Sequence, residues 1–422
     1  MVDSRGPVVV VGQGYVGLPV AMRAVEVGYH VVGIDLDARR IGALQRGESY
    51  VEDISNETLK RALASGRYIA TTDYADAADF GVAVITVPTP LKETLPDLSF
   101  IESAAVALST HLTRGATVVL ESTTYPGTTQ ELLIPLLEDG SGLRAGEDFS
   151  VGYSPERIDP GNPTWHFVNT PKVVSGIDKQ SLIAVDNFYS SLVDRTVSVS
   201  SPREAELTKL LENTFRHVNI ALVNELAIFA NQLGVNVWEA IDAASTKPFG
   251  YMRFTPGPGV GGHCLPVDPS YLSWQVRKSL GQSFRFVELA NDVNDHMPDY
   301  VVQRTIEILN SAQKSVNGAR VLVVGLAYKK NSGDSREAPS TKIIDFLQRL
   351  HAEVAAADPH VQPDRWPAST QRVYLTAEEV ERADIVILVT DHDDLDLACL
   401  EGAVTPVLDT RNRMSGANVI TL

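Results

Sequence analysis

The sequence is poor in cysteine, has no long apolar run and has no excess of positive charge. Its 422 residues include only two cysteines, Cys264 and Cys399, which cannot build a disulfide framework and favour a reducing compartment. The first apolar run, over residues 8–11, is too short for a signal peptide or a membrane span. A net charge of −17 argues against a nucleic-acid partner. We therefore expect a cytoplasmic protein without a nucleic-acid or membrane partner, in which local basic residues can still bind a small anion.

Length and residue composition predict a globular protein of two or three domains. The chain is 44% hydrophobic and 21% charged, which is ordinary for such proteins. Short apolar runs alternate with helical patterns in the first and last thirds, and long helical patterns fill the middle. This order predicts an α/β fold with two Rossmann-like, doubly wound parallel sheets joined by a long central helical segment.

The clearest motif follows the first apolar run. Residues 12–17 read GQGYVG and lie between a predicted strand over 7–11 and a helical pattern that ends near Gly28. A second predicted strand over 29–34 ends at Asp35. A GxGxxG turn between strand and helix, with an acid after the next strand, indicates a dinucleotide site much more strongly than the glycines alone.

Each residue type in this motif has a physical reason. Gly12 permits the tight turn, Gly14 lets the backbone approach a pyrophosphate, and Gly17 allows close packing of helix on strand. The helix N-terminus offers free N–H groups to the phosphates. Asp35 can accept a hydrogen bond from a ribose 2′-hydroxyl and would repel a 2′-phosphate, which favours NAD. The predicted cofactor contacts are Gly12, Gly14, Tyr15, Val16, Gly17 and Asp35.

Two arginines leave NADP open as an alternative. Arg39 and Arg40 follow Asp35 closely, where arginines could bind a 2′-phosphate. The other interpretation is that they are solvated charges on a helix.

Polar residues follow three further predicted strands in the first third. Open parallel sheets bind ligands beyond the carboxyl ends of their strands, so these residues lie where a site is expected. Turn and cap formation is the alternative, since Ser, Thr and Pro are common in turns. The strands span 82–87, 117–120 and 149–153, and the polar residues are Thr89, Thr123 and Glu156.

The middle of the chain opens with a capping box at Ser201 that predicts a helix to about Leu233. Lys209 and Asn213 are four residues apart and share one face of this helix. They are candidate functional residues, and the alternative is that both are solvated. An apolar stripe on another face predicts a core or a subunit contact. It comprises Leu207, Leu211, Phe215, Val218, Leu222, Leu226 and Phe229.

A segment rich in glycine and proline carries one of the two cysteines. Residues 254–268 read FTPGPGVGGHCLPVD, and six of the eight residues before Cys264 are glycine or proline. We expect this segment to form no regular element. A cysteine held on such a loop is a candidate nucleophile, and a buried structural thiol is the alternative. A second long helix is predicted over 284–309.

The last third repeats the α/β pattern without the full glycine motif. A predicted strand over 319–324 is followed by a single turn glycine, Gly325. Lys329, Lys330 and Arg336 then cluster in one loop, which suits an anion, although a solvated surface loop is the alternative. Further strands are predicted over 353–357, 385–390 and 407–409.

Taken together, these residues resemble one family over essentially the whole chain. The chain is similar to the nucleotide-sugar 6-dehydrogenases of the UDP-glucose/GDP-mannose dehydrogenase family. Residues 247–250 and 256–264 look most like the branch that includes UDP-N-acetylglucosamine 6-dehydrogenases. Pro160 stands where UDP-glucose enzymes often have a second glutamate. The resemblance depends on residues 12–17 with Asp35, 121–123, 154–156, Lys209 with Asn213, 261–268 and 328–336.

The resemblance implies a three-part organisation. Residues 1–198 would bind NAD, residues 199–312 would form a helical dimerisation segment with the cysteine loop, and residues 313–422 would hold a UDP- or dTDP-hexose. It implies a homodimer or larger homo-oligomer and no metal. The reaction would be a four-electron oxidation of the hexose C6 hydroxymethyl by two NAD⁺. A two-electron dehydrogenase of the hydroxyacid type and a non-catalytic NAD sensor are the alternatives.

The resemblance also implies roles for individual residues. Cys264 would be the nucleophile, Lys209 and Asn213 would stabilise an oxyanion, and Asp268 would assist Lys209 and the water. Thr123 would position water and Glu156 would act in acid–base steps. Further cofactor contacts would be Arg40, Thr89, Thr123 and Arg336. Substrate contacts would be Glu156, Arg157, Lys209, Asn213, Tyr251, Arg253, Phe254, Gly261, Tyr328 and Lys329.

Overall fold

The computed structural model describes residues 7–92, 95–158, 162, 164–262 and 264–422, and for 264–267 it describes the backbone only. The chain forms two compact units, one ending at Glu212 and one beginning at Asn213. Their boundary falls inside a helix of 31 residues, Pro202–Gln232. Among the described residues, no helix combines the length and apolar character that crossing a membrane requires.

The first unit is built on a parallel sheet of six strands in the order β3-β2-β1-β4-β7-β8. The central strand pairs in register with both neighbours, since Val8 lies opposite Val31 and Val82. Its valine run is buried along its whole length, as expected for a parallel strand covered on both faces. The strands of this unit are β1 (Val8–Val11), β2 (Val31–Ile34), β3 (Tyr68–Thr71), β4 (Val82–Ile85), β5 (Leu91–Lys92), β6 (Leu95–Pro96), β7 (Thr117–Leu120), β8 (Ser150–Tyr153), β9 (Lys172–Val174) and β10 (Thr196–Ser198).

Helices cover the faces of this sheet. The first begins at Gly17, directly after the glycine turn, and buries Leu18 and Ala21 against Val8 and Val10 of β1. The pairs β5–β6 and β9–β10 form separate two-stranded sheets. The helices up to the unit boundary are α1 (Gly17–Glu26), α2 (Ala38–Gln45), α3 (Asn56–Ala64), α4 (Ser99–Ser109), α5 (Ile134–Ser141), α6 (Lys179–Ser190) and α7 (Pro202–Gln232).

The second unit contains a sheet of the same topology, with the order β13-β12-β11-β14-β15-β16 and every neighbouring pair parallel. Its core unites β11 with the helices that precede and follow it, for example Val321, Met297 and Ile343. The elements are α8 (Val237–Ser245), α9 (Cys264–Leu280), α10 (Arg285–Ser311), β11 (Arg320–Val324), α11 (Pro339–Arg349), β12 (Glu353–Ala357), β13 (Gln371–Arg372), α12 (Ala377–Arg382), β14 (Ile385–Leu388), α13 (Ala398–Glu401), β15 (Val407–Asp409) and β16 (Val419–Thr421).

The predicted fold class, two Rossmann-like parallel sheets with long central helices, is confirmed. One local prediction is wrong. Residues 254–268 were expected to be irregular throughout, but α9 begins at Cys264 and already includes Asp268. The physical reason is that the first N–H groups of a helix have no intrahelical partner, so Pro266 in the first turn removes no hydrogen bond. The glycine and proline run ends just before this helix.

Candidate active site

The glycine turn of the first unit separates three roles for its glycines. Gly12 has a φ of +93°, and an added Cβ would lie 2.8 Å from the carbonyl oxygen of Thr86. At Gly17 an added Cβ would lie 1.9 Å from the carbonyl oxygen of Gly12, so helix and turn could not pack as they do. At Gly14, apart from its two chain neighbours, no atom of the described residues lies within 4 Å of an added Cβ. The space beside Gly14, next to the start of α1, fits the close approach of a pyrophosphate.

Gln13 and Asp35 hold this turn in place. The backbone N–H of Gln13 donates to Asp35 Oδ2 at 2.9 Å. The buried Gln13 side chain donates to Val10 O at 2.9 Å and accepts from the Tyr68 hydroxyl at 2.7 Å. The backbone carbonyl oxygen of Gln13 accepts from the Tyr50 hydroxyl at 2.6 Å. The sequence motif treats position 13 as variable, so neither Gln13 nor the two tyrosines could be found from it.

The arginines near Asp35 are matched by carboxylates. Arg40 Nη1 lies 3.5 Å from Asp35 Oδ2, and Arg39 donates to both oxygens of Asp37. The hydrogen bond from Arg39 lowers the pKa of Asp37 to about 2, so this carboxylate remains ionised beside the turn. Each arginine therefore has a carboxylate partner, and a 2′-phosphate would have to compete with Asp35 and Asp37 for them. Tyr15 is exposed, Val16 is the residue before α1, and Thr89 is buried.

Lys209 of α7 is held by the segment that follows β8. Its buried ammonium donates to the carbonyl oxygen of Glu156 at 2.6 Å. Both carboxylate oxygens of Glu156 are also engaged. Oε1 accepts from the N–H groups of Arg157 and Ile158 at 2.6 and 2.7 Å, and Oε2 accepts from Lys172 at 3.1 Å. The interpretation of Lys209 as a solvated residue is therefore wrong, because its side chain lies on a buried face of α7.

Lys172 is a buried cation that sequence reasoning missed. Its ammonium lies 3.1 Å from Glu121 Oε1 and 3.1 Å from Glu156 Oε2, and Tyr189 donates to the same oxygen of Glu121. Burial alone would raise the pKa of Glu156, but Lys172 and the backbone N–H groups outweigh it and lower that pKa. Burial does raise the pKa of Glu121 despite Lys172. Glu156 is thus held in the ionised form that a base requires.

Arg157 is occupied by its own surroundings. Its guanidinium donates to Glu212 at 2.6 and 3.3 Å and to the carbonyl oxygen of Pro171 at 2.6 Å. The Arg157 side chain, a predicted substrate contact, therefore already binds protein groups in the structure. Thr123 is partly buried, two residues beyond Glu121 at the end of β7. Pro160, the position of the sequence departure, lies outside the described residues.

In the second unit, Asn213 and Asp268 meet. Asn213 Nδ2 donates to Asp268 Oδ2 at 2.5 Å, and both side chains are buried. Asp268 is the fifth residue of α9, about one helical turn after Cys264. The side chain of Cys264 lies outside the described part of the chain, whereas its backbone begins that helix. The solvated interpretation is therefore wrong for Asn213 too, and one partner comes from the cysteine segment.

The glycine loop over 256–262 packs against the loop that follows β11. Gly262 N–H donates to the carbonyl oxygen of Arg336 at 3.0 Å. An added Cβ at Gly261 or Gly262 would lie 2.7 Å from the Tyr328 side chain. These glycines are required because the aromatic side chain lies directly against the backbone. Gly261, Tyr328 and Arg336, three predicted site residues, are thus brought together.

The cation cluster after β11 is largely paired with acids. The Arg336 guanidinium donates to both oxygens of Asp334, at distances from 2.5 to 3.1 Å. Lys330 is paired with Asp393, and Lys329 is partly buried. An anionic ligand here would have to compete with these carboxylates for Arg336 and Lys330.

The remaining predicted substrate contacts lie before the glycine loop. Tyr251 and Arg253 are exposed, and Arg253 donates to Asp242 of α8 at 2.6 Å. The Phe254 ring packs edge-on against Phe215 of α7, with centroids 5.8 Å apart. Arg253 and Phe254 therefore contact α8 and α7, respectively.

The sheet and its glycine turn indicate the general class first. A Rossmann sheet with space for a ligand at Gly14 and an acid, Asp35, after the second strand is typical of an NAD-binding protein. Family models then match in three consecutive pieces. They are the NAD binding domain of the UDP-glucose/GDP-mannose dehydrogenase family at residues 7–193, its central domain at 203–296 and its UDP binding domain at 322–416. The chain belongs to the UDP-glucose/GDP-mannose dehydrogenase family, and its cofactor is NAD.

Relatives of known name cover nearly the whole chain. A UDP-N-acetyl-D-mannosamine dehydrogenase of Pyrococcus horikoshii is 37% identical, over 92% of this chain and 90% of its own length. A UDP-N-acetyl-D-glucosamine 6-dehydrogenase of Pseudomonas aeruginosa is 39% identical, over 85% of this chain and 83% of its own. The solved structure of a UDP-D-ManNAc dehydrogenase from Pyrococcus horikoshii superposes with a TM-score of 0.89 at 34% identity, covering 98% of both chains.

Proposed function

We propose that this protein oxidises the C6 hydroxymethyl group of a nucleotide-diphosphate hexose to a carboxylate, with Cys264 as the covalent nucleophile. The observation that carries the proposal is the buried contact between Asn213 and Asp268, which lies one turn into the helix that Cys264 begins. A helix N-terminus lowers a thiol pKa and so favours the thiolate. Lys209, one helical turn before Asn213, is buried as well.

The chemistry removes four electrons in two oxidations. NAD, when bound, supplies the hydride acceptor for both. The first oxidation converts the alcohol into an aldehyde with loss of a hydride and a proton. The Cys264 thiolate then adds to the aldehyde carbon to form a thiohemiacetal, and loss of the second hydride leaves a thioester. Water adds to the thioester carbon, the C–S bond breaks, and the carboxylate and the thiolate are released.

The chain's own residues would manage charge and water in these steps. Lys209 and Asn213 are the proposed donors to the oxyanion that forms at C6. Removing one such donor typically costs about 10²–10³ in rate. Glu156 is the proposed base, since Lys172 and two backbone N–H groups keep it ionised. Thr123 would position the attacking water, and Asp268 would support Lys209 and that water.

We propose a UDP-N-acetylhexosamine as the preferred substrate and UDP-glucose as the second candidate. Relatives named for 2-acetamido sugars support this order. We propose that residues 313–422 bind the nucleotide through Tyr328 and Lys329, with Arg336 at the substrate or cofactor edge. Residues 1–198 and 199–312 would be the cofactor domain and the helical segment. NADH formation with UDP-N-acetylglucosamine, UDP-N-acetylmannosamine, UDP-glucose, dTDP-glucose and GDP-mannose tests the order directly.

The decisive experiment measures the number of NADH molecules formed per sugar in a single turnover. Wild-type protein should form two, whereas Cys264→Ser should stall near one. Cys399→Ser is the matched control and should still form two, because the Cys399 thiol donates to Asp396 O at 3.0 Å and has no role in the proposed steps. Two NADH at wild-type rate from Cys264→Ser would rule out the thiol. One NADH from wild-type protein would instead favour the two-electron dehydrogenase.

We further propose a homodimer or larger homo-oligomer that uses the apolar stripe of α7. Six of the seven predicted stripe residues are between 43% and 63% exposed in the chain, which is unusual along a single helix. Leu211→Glu and Leu222→Glu should shift the mass measured by light scattering towards the monomer. A surface change on α12, Glu381→Lys, is the control. An unchanged mass in both leucine variants would place the interface elsewhere.

A further inference from the structure

A buried chain of hydrogen bonds runs through the second unit to the glycine loop before Cys264. His217 Nε2 lies 2.7 Å from Asn291 Oδ1, and His217 Nδ1 lies 3.3 Å from Asn294 Nδ2. Asn224 Nδ2 lies 2.9 Å from Asn294 Oδ1, and the N–H of Gly257 lies 2.9 Å from Asn224 Oδ1. His217, Asn224 and Asn294 are each at most 2% exposed. None of these side chains belongs to the predicted site.

The Gly257 end of this hydrogen-bond network fixes the donor and the acceptor in each of its hydrogen bonds. The backbone N–H of Gly257 can only donate, so the atom of Asn224 that faces it must be the amide oxygen. Asn224 then presents its NH₂ group to Asn294, which must accept through its own oxygen. The NH₂ group of Asn294 then donates to His217 Nδ1 and also to the backbone carbonyl oxygen of His217, at 3.4 Å. His217 must therefore be neutral with its proton on Nε2, where Asn291 Oδ1 accepts it.

Two members of this hydrogen-bond network, His217 and Asn224, extend the polar face of α7 that carries Lys209 and Asn213. His217 follows Asn213 by four residues, as Asn213 follows Lys209, so all three share one face. Asn224 lies seven residues beyond His217, two turns further along the same face. The face that carries the proposed oxyanion donors thus also carries the supports of the loop that leads to Cys264.

Two backbone N–H groups anchor that loop. Gly257 is held by Asn224 at its start, and Gly262 is held by Arg336 O near its end. Between them, an added Cβ at Gly259 would lie 3.3 Å from the carbonyl oxygen of Asn294. Asn294 therefore contributes to the loop twice, through its side chain and through close packing of its backbone.

We infer that His217 is a positioning residue. By accepting from Asn294 it orients Asn294 and Asn224, and so it fixes Gly257 and the start of the loop that sets the place of Cys264. The expected effect on catalysis rests on the proposed role of Cys264. The expected effect on the loop does not depend on that role.

Two substitutions test the two contacts of the His217 side chain separately, because asparagine and glutamine each place a polar group near one of the two ring nitrogens. In His217→Asn the amide oxygen stands near the position of Nδ1 and can still accept from Asn294. In His217→Gln the polar group stands near Nε2, so Asn291 keeps a partner, whereas Asn294 Nδ2 loses the ring nitrogen and retains only the carbonyl oxygen of His217 at 3.4 Å. We expect kcat to fall about 10²-fold in His217→Gln, because a displacement of about 1 Å costs this much. His217→Asn should stay within about threefold of wild type, and the KM for NAD should change in neither.

A second readout follows the loop without catalysis. Pro256 and Pro258 have no N–H, so amide hydrogen exchange resolves Gly257 from its neighbours. Exchange at Gly257 should quicken at least about tenfold in His217→Gln and in Asn224→Ala, but not in His217→Asn. Asn291→Leu, which removes only the outer contact, is the control and should leave exchange at Gly257 unchanged.

The outcomes are distinct. Equal exchange at Gly257 in the asparagine and glutamine variants, or protection retained in Asn224→Ala, would overturn the inference. If exchange responds as expected while Cys264→Ser still forms two NADH per sugar, the loop support stands and the proposed nucleophile does not. If the Cys264 test succeeds and exchange at Gly257 does not respond, only the role of His217 is lost.

Discussion

The two six-stranded sheets have the same strand order, but the turns after their first strands differ. In the first unit α1 begins at Gly17, six residues after β1 ends. In the second unit β11 ends at Val324 and α11 begins only at Pro339. The first turn therefore presents a helix N-terminus to a ligand. The second replaces it with a loop that carries Tyr328 and the neighbouring cations.

The position that meets the pyrophosphate also differs. Counted from the first turn glycine, Gly14 corresponds to Ala327. Gly14 faces open space, whereas Ala327 is buried and its N–H donates to Asp358. A shared topology thus places the same backbone positions at the same edge of each sheet. Whether an edge binds a dinucleotide depends on the side chains there.

The acids after the second strands show the same contrast. Asp35 accepts two backbone N–H groups and has Arg40 nearby. Asp358 accepts four backbone N–H groups and also His392, and its side chain is fully buried. Asp35 can therefore still accept a hydrogen bond from a ribose hydroxyl, whereas the carboxylate of Asp358 is occupied by hydrogen bonds within the protein.

The largest predicted effect distinguishes these two acids. Asp358→Asn should destabilise the protein by about 3–5 kcal/mol, because an NH₂ group would face buried donors. Asp35→Asn should cost about 1–2 kcal/mol but weaken NAD binding at least about tenfold. Denaturant unfolding and NAD titration measure the two effects. A smaller stability loss at Asp358 than at Asp35 would break the comparison.

The next prediction concerns the charge of a buried carboxylate in each unit. Burial raises the pKa of Glu206 in the first unit to about 7, although Thr129 and Gly127 donate to it. Burial would also raise the pKa of Asp358, but hydrogen bonds from His392 and the backbone hold it well below its ordinary value.

These opposite directions give opposite pH dependences. Folded Glu206 binds its proton more tightly than the unfolded chain does, so its contribution is present below pH 4.5 and is lost as the pH rises through about 7. Relative to Glu206→Gln, wild-type protein should lose up to about 3 kcal/mol across that range. The contribution of Asp358 is present above the ordinary aspartate pKa and is lost in acid. Unfolding free energies of wild type and Glu206→Gln at pH 5 and 8 test this, and equal differences at both would contradict it.

A smaller effect separates the glycines of the first turn. Gly14→Ala should leave stability within about 0.5 kcal/mol and weaken NAD binding about tenfold or more, because its Cβ would enter only the ligand space. Gly12→Ala should cost about 1–3 kcal/mol, since its φ is positive and Thr86 O is close. Thermal unfolding with NAD titration checks both. Equal stability losses would mean that Gly14 is a packing glycine as well.

The smallest effect tests the second turn. Ala327→Gly restores a glycine at the position that matches Gly14. We expect a loss of about 1 kcal/mol from backbone entropy and a small lost contact, and no second NAD site in equilibrium dialysis. A second bound NAD per chain would show that one methyl group alone separates the two turns.

Local patterns predicted the frame of both sheets, and short polar segments escaped them. The runs at 8–11 and 321–324 contain only valine and leucine, and a glycine follows each, so their strands were evident. Helices such as α3 were missed because nine residues of mixed polarity give little periodic signal, even though Ser55 caps α3 by accepting from Thr58 N–H. The cysteine segment was misread because prolines suggest irregular backbone even where a first turn tolerates them.

For the site, the sequence selected residues but not their partners. Lys209 and Asn213 share a face by simple helical spacing. Their partners, Glu156 O and Asp268, lie 53 and 55 residues away along the chain, and no local rule connects them. Lys172, His217 and Gln13 were missed because each is one ordinary residue in an ordinary context until its burial is known.

The amino-acid order is enough to specify the periodicity and the chemistry of the motifs. Alternating apolar runs specify two doubly wound sheets, and the glycine turn with Asp35 specifies a dinucleotide, because both follow from backbone geometry over a few residues. Which polar groups are removed from water depends on how distant segments pack in the folded chain. Burial and hydrogen bonding bring distant residues together, and these set the charge of Glu156, occupy Asp358 and connect His217 to the loop before Cys264.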